Sequence, residues 1–68
     1  MVKLTDSEKD SLMNVAVSLC EELEDLYRIW AFENYLTMQQ NFYDDSEEAT
    51  SRFLKAFIRI VELYYNNR

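Results

Sequence analysis

At 68 residues the chain is one small domain, and a domain of that size buries only about 60% of the surface its unfolded form exposes. With one cysteine and no histidine, glycine or proline, it excludes an intrachain disulfide, histidine-based metal or acid–base chemistry, and glycine-rich phosphate loops. Its 7 Lys and Arg against 13 Asp and Glu give a net charge of −6, a balance that as a whole repels nucleic acid and anionic membranes.

The missing glycine and proline also point to fold class. Tight turns between strands want Asn-Gly or Asp-Gly, so the chain is predicted to be helical almost throughout. Residues 1–5 read as a short extended lead. Thr5 followed by Glu8 is a capping-box pattern, with Asp6 and Ser7 as competing caps, and Asp6, Glu8 and Asp10 suit the positive end of a helix dipole. A helix is therefore expected to start near Asp6.

From there the spacing predicts a long first helix over about 6–42. Leu12, Ala16, Leu19, Leu23, Leu26, Tyr27 and Trp30 fall on one stripe at about 100° per residue. Past Phe32 the stripe moves: Glu33, Asn34 and Thr37 occupy the former apolar arc, and Phe32, Tyr35, Leu36, Met38, Phe42 and Tyr43 lie on another side. The helix either breaks near 32–34 or packs its two halves on different neighbours. Asp44–Glu48 offers two Asp-x-x-Glu caps, Asp44 with Glu47 and Asp45 with Glu48.

A second helix is expected over about 45–65. Phe53, Ala56, Phe57, Ile60, Val61 and Tyr64 form its central stripe, and its apolar arc exceeds the ~100° that one packed face needs. Arg52, Lys55, Arg59 and Glu62 hold the remaining strip. The tail Asn66–Arg68 is expected to fray.

These two helices do not match in length. At 1.5 Å per residue the first spans roughly 54 Å and the second roughly 30 Å. Folded back, the second leaves Leu12, Ala16 and Leu19 uncovered. A break near Glu33 would give a three-helix bundle; a second copy would cover the stripe in a dimer. The wide apolar arc favours the latter. The expected fold is thus all-α: a single domain over 1–68, built as an antiparallel helical hairpin and paired in a homodimeric helical bundle. Leu12, Ala16, Leu19, Leu23, Trp30, Phe53, Phe57 and Ile60 are its expected core or dimer residues.

Chemistry is sparse. Nucleophilic catalysis needs an activated nucleophile beside a base; Cys20 lacks a histidine and lies on the apolar face, where it packs. Bundle metal sites use Glu together with Glu-x-x-His, and the acids here lie on or beside the polar face. No enzyme, metal or cofactor is expected.

What remains is binding. Phe32 and Leu36 lie far from the main stripe and are the best exposed apolar candidates, with Tyr43 beside them as an amphipathic contact. Glu21, Glu24 and Asp25 belong to an acidic run that a basic partner would relieve. Arg52, Lys55 and Arg59 follow i, i+3, i+7 and point one way. The leading expectation is a non-catalytic protein-interaction module, a small regulator or inhibitor of the kind viruses, plasmids and bacteria encode. It would act as a homodimer on another, unidentified protein. One alternative is an acidic decoy of nucleic acid that blocks a basic surface. The other is a nucleic-acid binder using the basic strip, a weak footprint by the standard of basic domains. No apolar run approaches the ~20 residues of a membrane span. A lone cysteine with no secretory signal fits a reducing cytosol, that of the host cell if the source is a virus.

Overall fold

The computed structural model describes residues 3–66, and all the elements in them are helices. The expected fraying at Asn67 and Arg68 lies outside the described residues, as do Met1 and Val2 of the lead. The helices are α1 (Asp6–Glu21), α2 (Asp25–Gln40) and α3 (Glu47–Asn66). This is a three-helix arrangement and not a two-helix hairpin.

The start of α1 lies where the cap pattern puts it. The Glu8 backbone N–H donates to Thr5 Oγ1 at 3.1 Å, and the Thr5 N–H donates to Glu8 Oε1 at 2.9 Å. Those bonds satisfy two of the donors that a helix N-terminus leaves orphaned.

The expected long helix is interrupted ten residues before the anticipated site. α2 runs unbroken through 32–34, and the chain turns instead at Glu22–Glu24. The Glu22 N–H donates to the Leu19 carbonyl and the Leu23 N–H to that of Cys20, both at 3.2 Å, which tightens the last turn of α1. Glu24 then adopts an extended backbone, φ −68° and ψ 160°, and α2 begins. Leu23 points inward from this turn and is buried, while Arg28 Nη2 donates to its carbonyl at 2.9 Å. The break moves Glu24 and Asp25 from mid-helix to a helix N-terminus, where the dipole favours negative charge. It also folds α1 back, so that Leu12, Ala16 and Leu19 are covered within one chain.

The new phase redistributes the core. Ala16 and Cys20 of α1, Leu23 of the turn, Ala31 and Met38 of α2, and Phe53, Ala56 and Ile60 of α3 form the buried cluster, with Leu12, Leu19 and Phe57 half-buried against it. Each helix buries at least one alanine, which lets backbones approach closely, and Phe53, Met38 and Ile60 fill the space between them. Trp30, expected in the core, is 46% exposed. Its stripe assumed an uninterrupted rotation from Leu12, and the turn at Glu22–Glu24 resets that rotation.

At the other end, a link over residues 41–46 joins α2 to α3. Lys9 is buried here with 1% exposure. Its Nζ donates to the Phe42 carbonyl at 2.8 Å and to Asp45 Oδ1 at 3.3 Å, and lies 5.8 Å from the centre of the Phe42 ring. The stem crosses apolar surface while the ammonium finds acceptors at the rim. Asn41 is also buried: its amide donates to the Thr37 carbonyl at 2.7 Å, and its Oδ1 accepts from Arg52 Nε at 2.9 Å. The cap of α3 differs from both expected Asp-x-x-Glu patterns. Ser46 Oγ accepts from the Ala49 N–H at 3.2 Å, Asp44 Oδ1 accepts from the Ser46 N–H at 2.9 Å, and Asp45 pairs with Lys9.

Because Lys9 near the start of α1 and Arg52 near the start of α3 both reach the end of α2, α2 runs antiparallel to each neighbour. Its most extensive contact is with α3. At 33 × 19 × 18 Å, the bundle is about as long as α3, whose 20 residues rise ~30 Å.

Candidate functional site

Three sets of residues were candidates for binding, and the fold puts them on three distinct surfaces. The apolar set lies on α2. Tyr27, Ala31, Tyr35 and Met38 turn toward the other helices. Ile29, Phe32 and Leu36 lie on the opposite side, at i, i+3 and i+7, and all three are exposed. Sequence reasoning named Phe32 and Leu36 but missed Ile29, because it placed the change of face at Phe32. The signal was the 3-4 spacing itself. A shallow depression between Arg28, Ile29, Phe32 and Glu33 lies at the leading end of this stripe.

Tyr43 is not part of the stripe. It sits in the α2–α3 link, 89% exposed, with its ring edge-on to Phe42 at 4.9 Å. Tyr35 connects the two regions. Its ring stacks on Phe32 at 5.8 Å with 20° between planes, and it also lines a cleft between α1 and α2 with Asp10, Met13, Asn14, Gln39, Phe42 and Tyr43.

The acidic set surrounds the α1–α2 turn. Glu21 ends α1, Glu24 caps α2 and Asp25 opens it, and all are exposed. Asp25 pairs with Arg28 at 3.5 Å; Glu24 makes no side-chain cap bond.

The basic set lies on the seam between α2 and α3. One groove is lined by Asn34 and Thr37 of α2 and by Arg52, Lys55, Ala56 and Arg59 of α3. A second depression continues it along the seam, lined by Trp30, Asn34, Arg59, Glu62 and Leu63. Arg52 is held by Asn41, and among the described residues neither Lys55 nor Arg59 takes part in a salt bridge. The helical spacing puts the three cations together, and the pairing of α3 with α2 puts them beside neutral amide and hydroxyl groups.

Titratable groups with altered affinity for protons serve local structure. Backbone and side-chain hydrogen bonds from Thr5 hold the Glu8 carboxyl below its ordinary value, and those from Ser46 do the same for Asp44. Burial pushes the Cys20 thiol up, so it stays protonated and weakly nucleophilic at neutral pH. Among the described residues, no group of three or more carboxylate or thiol side chains is placed to hold a metal ion, and no helix is long and apolar enough to cross a membrane.

No protein-family model, curated protein or solved structure matches this chain.

Proposed function

We propose that this protein is a small, non-catalytic helical module that regulates or inhibits another protein by binding it through the outward face of α2. The carrying observation is that Ile29, Phe32 and Leu36 form an exposed stripe on a helix whose other side already fills the core. Fully burying an exposed side chain of this kind yields about 1.5–3 kcal/mol. Even half that for each of three provides an anchor of the sort seen where an amphipathic helix meets a groove. Tyr35 and Tyr43 extend the contact toward the link, and their hydroxyls can stay wet at its rim. A reducing cytosol suits its buried free thiol.

The same reading has the module working as a homodimer. Leu26, Trp30, Val15 and Ile58 are exposed outside the partner stripe, more apolar surface than one binding face needs.

Two further readings rest on specific charges. Lys55 and Arg59, outside any salt bridge among the described residues, lie beside Arg52 and favour contact with phosphate, though three cations on a chain of −6 make a small footprint. The exposed Glu21, Glu24 and Asp25 favour a decoy role against a basic surface.

Parallel affinity capture from the native host, with wild type and with Phe32→Ser/Leu36→Ser, tests the leading reading. The double variant should keep its circular dichroism and lose the captured partner. An unchanged capture would overturn the α2 stripe. Loss in Arg52→Glu/Lys55→Glu/Arg59→Glu together with steep salt dependence on duplex or RNA would favour nucleic acid. Loss in Glu21→Lys/Glu24→Lys/Asp25→Lys would favour the decoy.

A further inference from the structure

We infer that the cleft between α1 and α2 is an arginine-recognition site, which takes one guanidinium side chain from the protein partner bound on the α2 stripe. That source rests on the α2 reading, whereas the chemistry of the cleft does not.

The lining brings two kinds of group together. On α1, Asp10, Met13 and Asn14 fall at i, i+3 and i+4 and so share one face; on α2, Tyr35 and Gln39 are four apart, and Phe42 follows just past the helix end. Tyr35, Phe42 and Tyr43 supply aromatic surface, with the half-buried Met13 beside them. Asp10 supplies a carboxylate, and Asn14 and Gln39 supply amide oxygens. Among the described residues, none of these three polar side chains takes part in a hydrogen bond or an ion pair.

An arginine side chain is the complement of that lining. Its planar guanidinium stacks on aromatic rings, while its five donors reach a carboxylate and carbonyl oxygens together. The size agrees. The cleft has a volume of about 320 Å³, at the low end of the ~300–1,000 Å³ range of ligand sites. That is room for a side chain, whereas a whole helix is ~10–12 Å across.

The surrounding charge selects a cation. Lys9, next to Asp10 in sequence, has its ammonium taken up by the Phe42 carbonyl and by Asp45. Asp44 and Asp45 follow Tyr43 in the link, so Asp10, Asp44 and Asp45 set three carboxylates against that one ammonium. Lys9 Nζ lies 5.8 Å from the centre of the Phe42 ring, which leaves the rings of Tyr35 and Tyr43 for an incoming cation. The acidic turn at Glu21–Asp25 is the poorer site. Its carboxylates are exposed to water and salt, which screen a lone ion pair. Asp10 is exposed as well, but the rings around it give the cation a second contact.

The cleft is also continuous with the α2 stripe. Tyr35 lines the one and stacks on Phe32 of the other, at 5.8 Å with 20° between planes. A partner seated on Phe32 therefore lies one ring away from Asp10.

NMR titration of the isotope-labelled full chain tests the site with blocked single residues. The probes are N-acetyl-arginine amide, its neutral isostere N-acetyl-citrulline amide, and N-acetyl-lysine amide, with choline as a quaternary ammonium. Blocked arginine should bind in the millimolar range and shift the amides of Asp10, Asn14, Gln39 and Tyr43, with citrulline roughly tenfold weaker. Lysine and choline should bind less tightly than arginine, because neither presents a planar fork of donors. Asp10→Asn should weaken arginine about three- to tenfold. Tyr43→Ala should weaken it about two- to fivefold. Both variants should keep the circular dichroism of the wild type. Ile29→Ser/Leu36→Ser should bind blocked arginine as the wild type does, since neither residue lines the cleft. A failure of the stripe to capture a partner is thereby separated from a failure of the cleft. Equal binding of arginine and citrulline would overturn the inference, as the cleft would then select shape and not charge. Tighter binding of lysine or choline would overturn arginine as the occupant. Shifts centred on Glu21–Asp25, or none at the cleft at the highest concentration, would overturn the site itself.

Discussion

The two connections of this bundle do the same job by different physics. The α1–α2 turn is short, acidic and held by an apolar peg: Leu23 is buried, and the cap residue Glu24 makes no side-chain bond. The α2–α3 link is held by a polar network in which Lys9, Asn41, Asp44, Ser46 and Arg52 each take a hydrogen bond across or within it. A peg contributes in proportion to the area it removes from water and is indifferent to pH. A network contributes through satisfied donors and acceptors, and its loss is costly where a buried group is left alone. In a chain without glycine or proline, both devices substitute for turn residues that would otherwise set the backbone.

The largest effect should come from the peg. Leu23→Ala leaves a cavity beneath the turn and should cost about 2–5 kcal/mol by urea denaturation. A loss below ~1 kcal/mol would mean that the turn is stabilised by something other than burial.

The network should respond more unevenly. Lys9→Met keeps most of the stem and strands the Phe42 carbonyl, so it should cost about 1–3 kcal/mol. Asp45→Ala should cost less than ~1 kcal/mol, because Asp45 is 77% exposed and its ion pair is well screened. Equal losses in the two variants would show that the ion pair, and not the carbonyl bond, secures α1 to the link.

The smallest effect is one of pH. Asp44 has its carboxyl held below the ordinary range by Ser46. A lowered folded-state pKa stabilises at pH above the unfolded value, and that contribution is lost as pH falls through the folded value. Thermal melts between neutral and strongly acidic pH should therefore show wild type losing more stability on acidification than Asp44→Asn. Leu23→Ala should lose as much on acidification as wild type, since its defect is apolar. Matching acid profiles for wild type and Asp44→Asn would remove the network's pH dependence from this group.

Much of the architecture is local and so is written in the chain. Thr5 and Glu8 cap α1 using only residues three apart, and no tertiary contact is needed to place that start. Absent glycine and proline make helix the cheapest conformation nearly everywhere. The periodicity of α3 locates Phe53 and Ile60 on its inner face, and the i, i+3, i+7 spacing gathers Arg52, Lys55 and Arg59 on one strip.

The position of the break was decided by tertiary structure. Neither Glu22–Glu24 nor Glu33–Asn34 contains a strong helix breaker, so local propensity separates them by only a few tenths of a kcal/mol per residue. Covering Leu12, Ala16 and Leu19 is worth several times more, and only a turn at Glu22–Glu24 folds α1 over its neighbours at full length. That choice reset the helical phase, which drew Met38 inward and left Trp30 exposed on the seam. It also brought Lys9 against the link, where the carbonyl of Phe42, thirty-three residues away in sequence, makes a buried lysine affordable. A charge's burial depends on the acceptor that meets it, and that acceptor exists only once the chain has folded.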